Sequence, residues 1–299
     1  MTGPGNSSQH QDLDARYVAA RRVLLDALTV LAPHGDAIIL AGAQAVYLHT
    51  GAADLAIAPY TTDGDLVLDP LLLGEAPELE AGMSAAGFHL QQQPGGHVEP
   101  GIWLASASAA GEEFLVPVDL IVPDGAASGP GRRAARLGGH GARAARRAVG
   151  LEAALVDNST MTIAALDPAD ERSLQARVAG PAALLVAKAH KLHDRVASGR
   201  AARLEDKDAS DVVRLMQTTR PDEIAVTLSA LAQDAIAGPP TIAALTYIEE
   251  LFGRRGRPGI EMASRALRTA IPEERVQAIC VAYVSALHPL PSTRVDSSE

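Results

Sequence analysis

Apolar residues recur at helical spacing over residues 13–31, where Tyr17, Leu24, Leu28 and Leu31 make one stripe and Arg21, Arg22 and Asp26 face water. The pattern then contracts to consecutive apolar positions, Ala37-Ile38-Ile39-Leu40-Ala41, as expected of a short buried strand. That strand breaks at Gly42 into a second helix over residues 42–49. Period-two alternation follows in Asp63-Gly64-Asp65-Leu66-Val67-Leu68: the two acids emerge on one face, and Gly64, Leu66 and Leu68 on the other. Residues 70–86 are expected to be helical, with a break near 74–77. A strand over 88–93, a turn at Gln93-Pro94-Gly95-Gly96, and a hairpin pairing 101–107 with 113–122 around Ala109-Ala110-Gly111 continue the β-rich half. Residues 151–156 and 161–166 read as two more short strands.

From Gly180 the period becomes helical. Over residues 181–198, Leu185, Ala189, Leu192 and Val196 form an apolar seam, and Lys188, Lys191 and Arg195 border it at i, i+3 and i+7. Lys207 opens the next helix, which carries Asp208 and Asp211 on one face. Three or four further helices are expected over 221–287, interrupted at Pro239-Pro240 and Arg257-Pro258-Gly259. The resulting division is a sheet-containing unit over 12–166 and a helical unit over 167–290, flanked by disordered tails at 1–11 and 291–299. The first eleven residues are polar and have neither the basic nor the apolar region of a signal peptide.

Composition narrows the function classes. With 47% hydrophobic and 21% charged residues, the chain fits a soluble globular protein. No apolar run approaches the roughly 18 residues that would span a bilayer, so no membrane partner is expected. A single cysteine, Cys280, excludes an intramolecular disulfide framework and fits a reducing cytoplasm. The net charge of −10 argues against sequence-independent coating of nucleic acid but permits a local basic patch. The Gly/Ala-rich stretch 124–150 carries Arg132, Arg133, Arg136, Arg143, Arg146 and Arg147; it reads either as an exposed loop or short helix, or as a basic lip for phosphates. Only three of the 26 basic residues are lysines, Lys188, Lys191 and Lys207, and all fall within 20 residues. A compact ammonium there suits point-charge phosphate binding.

The candidate chemistry centres on Asp63 and Asp65. Two carboxylates about 7 Å apart along one strand face can grip a hard divalent ion, and Mg²⁺ prefers oxygen ligands beside substrate phosphates. Asp119 sits inside the apolar run Val118-Asp119-Leu120-Ile121-Val122, where an acid is costly unless paired or metal-bound. The break from strand to helix at Gly42 points backbone N–H groups outward, toward a phosphate. His190 and His193 stand at i, i+3, a spacing able to bind a metal, but with no third ligand at a recognisable spacing they are expected to be surface or semi-buried histidines. Cys280 and Trp103 read as packing residues.

The order Gly42-Ala43, Asp63-x-Asp65, then Asp119 on a later strand resembles the DNA polymerase β-type nucleotidyltransferase core. Lys188-x6-Arg195 followed by Lys207-Asp208-x-x-Asp211 is similar to the AbiEii family of nucleotidyltransferase toxins, which includes MenT proteins. That family is the toxin half of AbiE-type (type IV) toxin–antitoxin pairs. The resemblance covers about residues 37–215 and implies an α+β fold: an N-terminal nucleotidyltransferase-like mixed β-sheet domain with flanking helices, then a C-terminal helical bundle. It implies that Asp63, Asp65 and Asp119 hold Mg²⁺, with Mn²⁺ as an alternative ion. Lys188 would hold phosphates and Asp211 would act as base or orienting acid, with Asp208 as its neighbour. Gly42, Ala43, Thr62, Lys188, Lys191 and Arg195 would contact the nucleotide. The implied activity is pyrophosphate-releasing transfer of NMP from an NTP to RNA, such as a tRNA 3′ end, in the cytoplasm, with a cognate antitoxin as partner. Two departures stand out: Ala43 replaces a frequent serine, and the interval from Arg195 to Lys207 is longer than in compact members. Transfer to a small-molecule or protein hydroxyl, and a catalytically silent NTP-binding or antitoxin-binding module, remain the alternatives.

Overall fold

The computed structural model describes residues 14–51, 61–129, 133–199 and 206–287; both tails and Arg132 lie outside the described residues. Alternation and buried apolar runs generate eight strands: β1 (Ile38–Ala41), β2 (Gly64–Leu68), β3 (His89–Gln92), β4 (Val98–Ala109), β5 (Glu112–Pro123), β6 (Arg146–Ala148), β7 (Asn158–Ala164) and β8 (Ser173–Ala179). They form one mixed sheet in the order β3-β4-β5-β2-β1-β8-β7, with β6 paired to β5. β4 and β5 are the expected hairpin, turning at Ala110 and Gly111, both at positive φ. Their pairing ends at Ile102 opposite Asp119, and β6 then runs parallel to β5 from Ile121 to Pro123.

Helix α1 (Ala15–Val30) is capped by Asp14, whose side chain accepts from the N–H groups of Arg16 and Tyr17 at 2.8 and 3.2 Å. Its stripe of Tyr17, Leu24, Leu28 and Leu31 is buried, with Leu24 close to Gly64 of β2. Arg21, expected to face water, is buried instead. It donates to Gln44 Oε1 at 2.8 Å, Ala164 O at 3.1 Å and Tyr17 Oη at 3.0 Å, so its charge is solvated by the protein. Helix α2 (Gly42–Thr50) follows β1 directly and packs against α4 (Pro181–Ala197) and α5 (Lys207–Thr218). It is the hinge post between the sheet and the helices. Four more helices complete the described chain: α6 (Pro221–Leu231), α7 (Gly238–Phe252), α8 (Pro258–Leu267) and α9 (Glu273–Leu287). Pro239, Pro240 and Pro258 lie in first turns, where a missing N–H costs nothing. One continuous apolar core runs through both halves. No described helix is long and apolar enough to cross a membrane.

Several segments differ from expectation. The helix over 70–86 is reduced to α3 (Leu79–Ala85), because Gly74 and Pro77 interrupt what precedes it. Residues 152–155 form a 3₁₀ turn and not a strand; the Glu152 carboxylate there accepts from Gly125 N at 3.0 Å and Gly150 N at 2.7 Å. The sheet also continues past residue 166 through β8, which pairs antiparallel with β7 and parallel with β1. The described parts of the stretch 124–150 are neither a bare loop nor an exposed helix. It contains 3₁₀ turns at Asp124–Ala126 and Gly138–His140 and then β6.

Gly101 governs how β6 meets the sheet. Its φ is +73°, and a Cβ there would fall 2.3 Å from Arg146 N and 2.6 Å from Leu120 O. Gly101→Ala should therefore destabilise the chain by about 2 kcal/mol or more, since a side chain is disfavoured at that φ and meets backbone that cannot yield. Urea denaturation checks this; an unchanged midpoint would mean β6 has freedom to retreat.

Candidate active site

The sheet sets the acids side by side. β1 is antiparallel to β2 with Ala41 opposite Asp65, and β2 is parallel to β5 with Asp65 opposite Asp119. Neighbouring strands are about 4.8 Å apart, so these side chains rise together from one face. Asp63 precedes β2 by one residue and belongs to the same cluster. Gly42 has φ +66°, and a Cβ there would fall 1.9 Å from Asp65 Oδ2. The strand-to-helix break is glycine because the Asp65 carboxylate occupies the side-chain position. Behind it, Gln44 Nε2 donates to Asp63 O at 3.2 Å while its Oε1 receives Arg21. A buried line from Ala164 through Arg21 and Gln44 thus holds the Asp63 backbone. Ala43 is buried in the first turn of α2, and Thr62 is half-buried beside Asp63.

Charge around the acids is mixed. Burial, then Asp63 and Asp119, push Asp65 up to about 6 against the pull of Lys191 and Arg146. Burial also raises Asp119 above the usual carboxylate range, partly offset by Arg146. Arg146 donates to Asp119 Oδ2 from Nε at 3.1 Å and Nη2 at 2.7 Å. Lys207 Nζ lies 3.7 Å from Asp63 Oδ1.

The helices contribute a second, buried cluster. Lys188 Nζ donates to Asp208 Oδ1 and to Asp211 Oδ2, each at 2.6 Å. Burial alone would lower its pKa, but the two carboxylates outweigh that and hold it above the ordinary lysine range. Asp208 also receives Lys191 at 3.1 Å and Arg195. Although burial opposes ionisation, Lys188, Lys191 and Arg195 hold Asp208 well below the usual carboxylate range. Asp211 is fully buried beneath Lys188. That places it to orient the lysine.

Both clusters border a cavity of about 350 Å³, within the range of small-molecule sites. Gly42, Asp65, Arg146, Lys188, His190, Lys191 and Asp194 line its polar side, and Ile121, Val149, Leu151 and Leu184 its apolar wall. The structure therefore gathers Gly42, Asp63, Asp65, Asp119, Lys188 and Lys191, with Arg195 and Asp211 behind them. Arg146, grouped by sequence with a basic lip, is a member of the site. A three-residue strand has no readable period, so only its pairing to β5 identifies it. The rest of the lip is largely ion-paired: Arg133 with Glu99 at 3.0 Å, Arg143 with Glu80 at 3.9 Å, and Arg147 with Asp124 at 2.8 Å. Arg136 is exposed. His190 lies at the buried end of that expectation, with Nε2 2.8 Å from Pro240 O; His193 stacks on Tyr247 at 3.7 Å.

Asp63 and Asp65 fit a divalent ion, because Mg²⁺ needs only one or two carboxylates when phosphates and waters complete its shell. At Asp119 one carboxylate oxygen, Oδ2, is engaged by Arg146. Among the described residues, no group of three or more His, Cys, Asp or Glu is gathered to hold a metal ion. Comparison with known protein families, curated proteins and solved structures finds no match to this chain.

Removing one member of a buried ion cluster leaves charge uncompensated. Asp208→Asn should cost about 3 kcal/mol at neutral pH. Because its folded pKa is depressed, the Asp208 contribution is complete above its unfolded value of about 4 and is lost as pH falls below it. Denaturant titrations should show wild type and variant converging under acid; a gap that widens on acidification would contradict this assignment.

Proposed function

We propose that this protein is a divalent-metal-dependent nucleotidyltransferase acting through the cavity between β2, β5 and α4. The observation that carries the reading is one cavity lined by Asp65 from the sheet and by Lys188 and Lys191 from the helical half, with Asp119 opposite Asp65 on β5 and Asp63 in the same acid cluster. Acid on one side and ammonium on the other is the arrangement phosphoryl transfer needs, since that chemistry is chiefly positioning and charge stabilisation.

In this reading an acceptor hydroxyl attacks the α-phosphorus of an NTP, a new P–O bond forms, and pyrophosphate leaves. An ion bound by Asp63 and Asp65 would supply Lewis-acid stabilisation of the α-phosphate and activation of the hydroxyl. Lys191, half-exposed at the cavity, and Arg146 neutralise phosphate oxygens. Lys188, fixed by Asp208 and Asp211, holds its place on the cavity wall beside Lys191. The acceptor we favour is RNA, such as a tRNA 3′ end, and the setting is the toxin half of an AbiE-type pair with an antitoxin as partner. Arg133, Arg143 and Arg147 would meet such an RNA by exchanging carboxylate partners for phosphates.

Incubation with Mg²⁺, each labelled NTP and total RNA should label a tRNA-sized band. Label on protein or metabolite would move the acceptor, and NTP binding without transfer would make the chain a silent module. Asp65→Ala should reduce transfer at least about 100-fold. It should not lower the melting temperature, because it removes one of three mutually repelling acids. Transfer surviving in that variant would remove the metal assignment.

A further inference from the structure

We propose that Asp119 is not a metal ligand but the seat of a phosphate-binding arginine. Its carboxylate fixes Arg146 so that the guanidinium, together with Lys191, receives the triphosphate, and Asp63 and Asp65 alone hold the ion. This rests on the nucleotidyltransferase reading above and departs from the three-acid ion site that the resemblance implies.

Three observations carry it. The first is the bonding pattern: Nε and Nη2, one edge of the guanidinium, both donate to the single oxygen Asp119 Oδ2. An arginine has five N–H donors, so the other edge is left to make a two-pronged contact with phosphate. The second is placement. Arg146 lines the cavity with Asp65, Lys188 and Lys191, and its side chain is 24% exposed. Its register opposite Ile121 puts it on the same sheet face as Asp119, one two-residue step along.

The third is rigidity. Arg146 N lies where a Cβ on Gly101 would meet it at 2.3 Å, and its neighbour Arg143 O accepts from Gly101 N at 2.9 Å. Close packing against Gly101 fixes the backbone of β6, and the Asp119 carboxylate holds the guanidinium, which lowers the ordering cost of binding a ligand. The ion does not require Asp119, because two carboxylates with phosphate and water oxygens satisfy Mg²⁺.

The test separates ion from phosphate. For the full chain and for Arg146→Ala, Arg146→Lys, Asp119→Asn and the Asp119→Asn/Arg146→Ala double variant, Mn²⁺ affinity is measured by electron paramagnetic resonance. Affinity for a non-hydrolysable NTP analogue is measured by calorimetry. Circular dichroism confirms that each is folded. Asp119→Asn should keep Mn²⁺ affinity within about 2-fold, and both it and Arg146→Ala should weaken the analogue about 10-fold, the loss of a charge-assisted contact. The double variant should be no weaker than Arg146→Ala, and Arg146→Lys should recover only part, since an ammonium lacks the fork. A loss of Mn²⁺ affinity of about 10-fold or more in Asp119→Asn, or analogue binding unchanged in Arg146→Ala, would overturn the proposal while leaving the nucleotidyltransferase reading intact. If Asp119→Asn fails to fold, the Arg146→Ala and Arg146→Lys titrations decide alone. A wild-type chain that binds neither Mn²⁺ nor the analogue overturns both.

Discussion

Three carboxylates share one end of a sheet, and that repulsion constrains the rest of the molecule. Two like charges about 5 Å apart cost about 3 kcal/mol at an effective dielectric constant of about 20. Asp63, Asp65 and Asp119 therefore need positive charge opposite them. It arrives from three separate elements: Lys191 from α4, Lys207 from the start of α5, and Arg146 from β6. The helical half is thus not an appendage to the sheet but the source of most of its counter-charge. The continuous core beneath keeps the two halves at the separation this balance requires.

Backbone approach does the fine positioning. Gly42 lets Asp65 lie over the start of α2, and Gly101 lets β6 close on β5 where β4 turns away. At Gly42 the missing Cβ makes room for the Asp65 carboxylate, and at Gly101 it lets Arg146 reach Asp119. The Arg21–Gln44 pair performs a similar service from inside, by tying the Asp63 backbone to α1 and to the end of β7. Such links cost solvation of a buried guanidinium, and Arg21 recovers it through three acceptors.

Features encoded locally were legible in the sequence. The stripe of α1, the break from β1 to α2, the alternation of β2, the β4–β5 hairpin and the border of cations on α4 all follow from period and turn chemistry. Features set by distant partners were not. Glu152 stops a strand from forming because its carboxylate reaches Gly125 and Gly150, and Arg21 turns inward because Gln44 and Ala164 accept from it. β8 was missed because Ser173, Gln175 and Arg177 dilute its apolar positions, although pairing on both edges makes it a strand. For the site, Asp63, Asp65, Asp119 and Lys188 were readable as types at spacings. That Lys188 would be enclosed by Asp208 and Asp211, and that Arg146 would bind Asp119, required the third dimension.

Lys191 offers a last comparison, because it influences both acid clusters. Asp208 lies well below the ordinary carboxylate range, whereas Asp65 is pushed up to about 6. Burial opposes ionisation at both, so burial does not explain the difference. Their neighbours do: Asp208 has three cations around it, while Asp65 has two acids, Asp63 and Asp119, set against Lys191 and Arg146. The helical cluster is electrostatically complete, and a further cation gains little there. At the sheet cluster the same cation relieves repulsion among Asp63, Asp65 and Asp119. In the proposed function this difference would favour the sheet as the place for an incoming cation, with Lys188 and Asp208 as a fixed frame beside it.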